Sequence, residues 1–281
     1  MKTINYKFKQ LKTEYDLSHI AVPEKALFLD IETTGLSSKT GSIYLIGACY
    51  YSNHMWNGIQ WFAETLEEES AVITAFFNFA SGFSTLIHFN GNQFDLPFIL
   101  GRCEHLSLSY NFETFEGIDI YKRVALCKHF LQLPNCKQKS IEKFLHLERD
   151  DKYSGGELIQ LYKNYTKAPS KAEEDLLLLH NKDDLKGMIE ILPILAYGDI
   201  FNKPVKATKV QSNYYRDLNG KKQQELIIRL KLTSSVPIPI SYHANDCYVT
   251  AEGDHAALRV PVYTEELKYF YHNYKEYYYL P

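Results

Sequence analysis

No two cysteines of this 281-residue chain are spaced C-x-x-C, so a cysteine zinc site is not indicated. The five present, Cys49, Cys103, Cys127, Cys136 and Cys247, are scattered and odd in number, so a disulfide-stapled scaffold is excluded and buried or incidental thiols are expected. No apolar run approaches the roughly 18 residues of a membrane span. Residues 1–17 lack the apolar core of a signal peptide, and the expectation is a cytoplasmic protein with no membrane partner. Internal repeats and low-complexity segments are absent too, the nearest approach being the tyrosine-rich end at 269–279. Glycine (14) and proline (10) are too sparse for a collagen-like or disordered chain. Nor is there a dominant charge: a net −3 supplies no global attraction toward a polyanion.

What remains is globular: 45% hydrophobic and 23% charged residues, at a length that suits one large domain or two modest ones. The first half alternates short apolar runs with turns. Residues 26–31, 43–51 and 59–64 read as three antiparallel strands joined by short connections. A helix at 67–80, a strand at 84–89, a helix at 96–103, a strand at 117–120 and a helix at 121–131 follow, a β-β-β-α-β-α-β-α order. Further helices are expected at 140–147, with Ser140 as cap, at 156–165, and at 170–192, capped by Ser170 and ending near Pro193. The character changes near 197–204. Beyond it, 224–232, 236–243, 246–251 and 258–263 read as strands, and 265–279 as a closing amphipathic helix. Between 201 and 232 stand eight basic residues against Asp217 and Glu225, a local excess of six positive charges that is either a solvated face or a track for a phosphate backbone.

Alternation in Leu27-Phe28-Leu29-Asp30-Ile31-Glu32 puts Asp30 and Glu32 on one face, roughly 6.6 Å apart at about 3.3 Å per residue. Two anions so close call for a raised pKa or a hard divalent cation such as Mg²⁺ or Mn²⁺, unless both lie past the strand end in water. Asp95 follows the loop Asn90-Gly91-Asn92-Gln93 and precedes Leu96-Pro97, a position for a helix N-cap that also suits a ligand at the end of a central strand. Asp119 reads as the cap of the next helix. His180 and Asp184 stand four residues apart on one helical face, toward the core with Leu177 and Met188, whereas Asp183 aligns with Lys186 and Glu190 toward solvent. An acid on a buried face needs a partner, which a metal would supply, whereas His180 standing alone reads as a satisfied interface histidine.

The runs FLDIETTGL at 28–36, NGNQFDLP at 90–97 and HNKDD at 180–184 together resemble the three exonuclease motifs of the DEDD superfamily. Within it the chain is similar to the predicted bacterial YprB-like RNase H-like exonucleases, with Thr40-Gly41, the 119–123 segment and the HN-x-x-D helix adding to a likeness that covers about 26–196. The resemblance implies an α/β, RNase H-like mixed five-stranded sheet flanked by helices. It makes Asp30, Glu32, Asp95 and Asp184 the carboxylates for two ions, Mg²⁺ or Mn²⁺, with His180 in the place of the general base, four residues before the last acid as in the tyrosine subclass rather than five. The implied activity is 3′–5′ exonucleolytic hydrolysis of DNA or RNA, with nucleic acid, as single strands or 3′ ends, for partner. A non-catalytic nucleic-acid-binding protein on the same fold, an endonuclease and a small-nucleotide hydrolase are the alternatives. The expected organisation is an N-terminal extension (1–25), a nuclease domain (26–200) and a β-rich appendage with a terminal helix (201–281).

Overall fold

The structure is a computed structural model that describes residues 1–11, 13–147, 155–244, 247–262 and 272–276. In chain order its strands are β1 (Lys2–Phe8), β2 (Ala26–Thr33), β3 (Ile43–Ser52), β4 (Met55–Phe62), β5 (Thr85–His88), β6 (Glu116–Asp119), β7 (Lys206–Arg216), β8 (Lys222–Ala244) and β9 (Cys247–Pro261). The helices are α1 (Glu69–Ala80), α2 (Asp95–His105), α3 (Ile120–Cys127), α4 (Gln138–Phe144), α5 (Gly155–Lys167), α6 (Lys171–Glu190) and α7 (Ala196–Asn202). One mixed sheet runs in the order β1-β4-β3-β2-β5-β6, and β7-β8-β9 form a separate antiparallel sheet. The chain divides into two compact units, Met1–Pro204 with Thr233–Ile238, and Val205–Leu232 with Pro239–Pro281. No described helix is long and apolar enough to cross a membrane.

In the large sheet β2 lies between an antiparallel neighbour, β3, and a parallel one, β5. Its buried run and that of β3 are nearly continuous, because helices cover both faces. Trp61 of β4 meets Phe76 of α1, while the adjacent Gln60 bonds to residues of α6, so α1 and α6 occupy opposite faces. Asp30 pairs with Gly47 across the β2–β3 ladder and therefore faces α6.

The sheet has six strands where five were expected. The sixth comes from the N-terminal extension, whose Ile4, Tyr6 and Phe8 alternate inward along β1 as it pairs with β4. Tyr6 stands opposite Gly58, where a Cβ would come within 2.1 Å of its ring, so the glycine makes room for the aromatic across the ladder. β4 also starts four residues earlier than expected. Asn53 and His54 both take positive φ, 52° and 58°, so that a two-residue turn closes the β3–β4 hairpin.

Other boundaries shift for local reasons. Ser140 lies inside α4, whose N-cap is Lys137, whereas Ser170 caps α6 by accepting from the Glu173 N–H. α6 ends at Glu190, and Pro193 is the second residue of a short 3₁₀ turn (Leu192–Leu195). In the second unit the four expected strands are two long ones, β8 and β9, preceded by a strand not anticipated, β7. Pro237 and Pro239 do not break β8 because they fall beyond Lys231, the last β8 residue paired with β7, and the Ile238 N–H between them donates to the Tyr197 hydroxyl at 3.1 Å. Gly253, read as part of a turn, stays within β9 at a φ of 54°. The closing helix expected at 265–279 lies outside the described residues except for a 3₁₀ turn at Tyr274–Glu276. All five cysteines are free thiols, four of them buried.

Candidate active site

β2 outruns its parallel neighbour. The β2–β5 ladder covers Ala26 to Phe28, and past it the Ile31 N–H donates to the Asp95 carboxylate at 3.2 Å. Asp95 stands in the first turn of α2, whose N-cap position is Phe94, so it is not the helix cap considered from sequence. Its carboxylate completes a strand's hydrogen bonding and comes to rest beside Asp30.

The loop that delivers Asp95 is held by two buried groups. Asp119 caps α3, as expected, and also accepts from the N–H groups of Asn90 at 2.9 Å and Asn92 at 3.4 Å. His88, fully buried at the end of β5, accepts from the Gly91 N–H through Nδ1 at 3.1 Å, and burial lowers its pKa. Its ring is thereby neutral with the proton on Nε2. A Cβ on Gly91 would meet the imidazole at 2.6 Å, so only glycine lets the loop close over the ring.

From the other side α6 brings three polar groups, His180, Asn181 and Asp184. His180 Nε2 lies 3.2 Å from Asp184 Oδ2 and 3.7 Å from Glu32 Oε1. Donor atoms of Glu32, His180 and Asp184 all fall within 4.8 Å of one another. Asn181, fully buried, donates through Nδ2 to Asp30 Oδ2 at 2.8 Å and to the Asp30 carbonyl at 3.3 Å. Its own oxygen accepts from Gln60 Nε2 at 2.8 Å, and Gln60 also donates to the Leu178 carbonyl at 2.8 Å, which fixes the orientation of both amides. A side chain at position 47 would put a Cβ 1.9 Å from Asn181 Oδ1, so Gly47 keeps the space this relay occupies. Neither Gln60, Gly47 nor Asn181 was singled out for the site from sequence. The i, i+1 step from His180 was a visible signal for Asn181, but the role of Gln60 depends on a strand remote in sequence. Asp183 departs from expectation: it is half-buried, with one carboxylate oxygen inaccessible to solvent.

The electrostatics of the cluster are strained. Burial, reinforced by the charges of Asp184, Asp95 and Glu32, holds the Asp30 carboxyl well above the usual carboxylate range, against the opposing effect of the Asn181 hydrogen bond. Burial likewise pushes Asp95 up to about 7. Neither has a lysine or arginine partner among the described residues. Arg102 is turned inward: its Nη2 and Nε meet the Glu69 carboxylate at 2.7 and 2.8 Å, and its Nη1 donates to the Ser38 carbonyl at 2.9 Å. This pair ties the loop between β2 and β3 to α1 and α2. The four carboxylates of the cluster, with Asp95 buried and Asp30 half-buried and neither facing a lysine or arginine among the described residues, have the hard-oxygen chemistry that a divalent cation requires.

The sequence matches the family model described as RNase H superfamily over residues 27–196. The chain belongs to the RNase H superfamily. The matched span holds every residue of the cluster, from β2 to α6. Among solved structures, the superfamily chain is similar to the family B DNA polymerase from the archaeon Pyrobaculum calidifontis, at 14% identity and a TM-score of 0.50, over 64% of this chain and 25% of that one. It thus spans about a quarter of the polymerase, and the likeness is one of fold. Exonuclease I of E. coli bound to single-stranded DNA also matches, at 14% identity over 75% of this chain and 55% of that one, with a TM-score of 0.36. No curated protein matches the sequence.

Proposed function

We propose that the chain is a metal-dependent nuclease that hydrolyses phosphodiester bonds of DNA or RNA from the 3′ end. The observation that carries this reading is the meeting of Glu32 from β2 with His180 and Asp184 from α6, their donor atoms within 4.8 Å, beside Asp30 and Asp95, whose carboxyls burial and the neighbouring acids raise. The YprB-like assignment within the superfamily belongs to the same proposal and is supported by the HN-x-x-D spacing on α6. So do the division into extension, nuclease domain and appendage, and a cytoplasmic setting.

Asp30, Glu32, Asp95 and Asp184 are the residues that would hold two divalent ions, Mg²⁺ or Mn²⁺. When bound, such ions polarise the scissile phosphate and balance charge on the departing oxygen. The chain's own part is distinct. Asn181 holds Asp30 in one rotamer and favours its charged form, while the Ile31 N–H does the same for Asp95. His180, seated on α6 with Nε2 toward the carboxylates, accepts the proton of the attacking water, a task suited to an imidazole near neutral pH.

The test uses purified full-length protein with 5′-labelled single- and double-stranded DNA and RNA, in Mn²⁺, Mg²⁺ or EDTA. Progressive shortening from the 3′ end in metal and none in EDTA is expected. Internal cuts would favour an endonuclease. Binding without cleavage in either metal would favour a non-catalytic protein and overturn the reading.

A further inference from the structure

The register of the β7–β8 ribbon is electrostatically unfavourable in a repeated way. Across it Lys206 stands opposite Lys231, Lys209 opposite Arg229, and Arg216 opposite Lys222. Like charges directly opposite on neighbouring strands destabilise a sheet. A solvated ribbon with no ligand has no need of three such pairs, since a shift of residue type at any one position would relieve the repulsion.

The acids nearby do not cancel them. Glu225, buried, takes hydrogen bonds from Asn213 and Arg259, and Asp217 is engaged with the Asn219 and Lys221 N–H groups in the hairpin turn. Among the described residues, Lys231 alone of these six cations forms an ion pair with a carboxylate, that of Asp254. Alternation puts Arg216 and Lys222 on one ribbon face with Tyr214 and Val210, 58% and 56% accessible, and Lys206, Lys209, Arg229 and Lys231 on the other with Tyr215, 42% accessible, so each face carries cations and an exposed tyrosine. Lys222 Nζ sits 4.3 Å from the centre of the Tyr214 ring, which places a cation and an open aromatic face in one patch at the hairpin end.

We infer that the β7–β8 ribbon is a binding surface for single-stranded nucleic acid, its phosphates neutralising the opposed cations and its unpaired bases stacking on the exposed tyrosines. Arg229 and Lys231, alternate residues on one face of β8, stand about 6.6 Å apart, close to the stride of an extended nucleotide backbone. Base stacking explains why the aromatics are exposed in company with lysines. A folded acidic protein or an anionic membrane would use the charge but not the rings. The inference rests on the reading that the substrate is nucleic acid, yet it concerns a surface outside the carboxylate cluster.

The experiment measures binding of fluorescein-labelled dT20 and U20 to the full-length protein by anisotropy in EDTA, where no hydrolysis intervenes, at two salt concentrations. The test variant is Lys206→Glu/Lys209→Glu, and Lys7→Glu/Lys163→Glu, which makes the same change in net charge at exposed positions of the other unit, is the control. The test variant replaces two like-charge pairs by opposite-charge pairs, so its melting temperature should be equal to or above that of the unaltered protein. Its affinity should fall at least about ten-fold, and the slope of log K against log salt should flatten by about 1.4 for two lost phosphate contacts. Tyr214→Ala should weaken binding with little change in the salt slope. Equal affinity and slope in the test and control variants would overturn the proposal, as would binding to phosphatidylserine vesicles but to neither oligonucleotide. Because these readouts need no turnover, a protein that binds through the ribbon but never cleaves would refute only the nuclease reading.

Discussion

The buried carboxylates make the metal-free protein sensitive to pH in a direction opposite to the usual acid denaturation. Asp95 rises from an ordinary 3.8 to about 7 in the folded chain, burial being the main cause. Between these values the folded state retains a proton that the unfolded state has released, so stability falls as pH climbs from about 4 to about 7 and stays low above it. At about 1.4 kcal/mol per pH unit, the full span amounts to about 4 kcal/mol. Asp30, raised for the same reason with three acids around it, adds to the effect with the same sign. For a unit of this size about 2–4 °C accompanies each kcal/mol, so the melting temperature in EDTA should drop by roughly 10 °C between pH 5 and pH 7.5. Asp95→Asn removes one of the two titrating groups and should flatten that slope markedly. Saturating Mn²⁺ should restore the loss at pH 7.5, with about 2.7 kcal/mol at a hundred-fold excess over its Kd, and have little effect at pH 5, where protons compete for the carboxylates. The assay is a thermal melt across pH in EDTA and in Mn²⁺. A melting temperature that is flat with pH in EDTA, or equally steep in Asp95→Asn, would show that burial does not set the charge state of this cluster.

Three further outcomes follow from the geometry. Asp30→Ala and Asp184→Asn should each abolish Mn²⁺-dependent hydrolysis while the far-ultraviolet circular dichroism stays unchanged, and retained turnover in Asp30→Ala would refute its role as a ligand. His180→Ala should lower kcat by about 10² to 10⁴ and remove the acidic limb of the pH–rate profile, with Mn²⁺ affinity by calorimetry nearly intact; an unchanged limb would assign the proton transfer elsewhere. Gly47→Ala drives a Cβ into Asn181 Oδ1 and should cost about 1–3 kcal/mol of stability. It should also weaken Mn²⁺ binding by disturbing the hydrogen bond to Asp30, and a variant as stable and as metal-avid as the parent would sink the relay from Gln60 through Asn181.

How much of this was legible beforehand differs from element to element. Period-two alternation placed Asp30 with Glu32, and the α6 heptad-like spacing placed His180 with Asp184, because both patterns are written within a few residues and tertiary packing only reinforces them. β1 carried the same signal in Ile4, Tyr6 and Phe8, but a seven-residue strand with Asn5 and Lys7 between its apolar positions is indistinguishable from a polar extension until Gly58 offers its ring-sized gap. β7 had no signal of that kind: most of its residues are exposed, so no apolar face betrays it. Asp183 misled because a helical wheel assumes one buried side, whereas α6 packs against β2, β3 and β4 and is also flanked by α4 and α5.

The sequence by itself determined which acids exist and which pairs share a face, since those follow from the local geometry of a strand and a helix. Only the tertiary structure decided that Asp95 would satisfy Ile31, that Gln60 and Asn181 would hold Asp30, and that Arg102 would turn to Glu69 and away from solvent. These are contacts between segments 33 to 151 residues apart, and their energetics depend on burial, which no local spacing encodes.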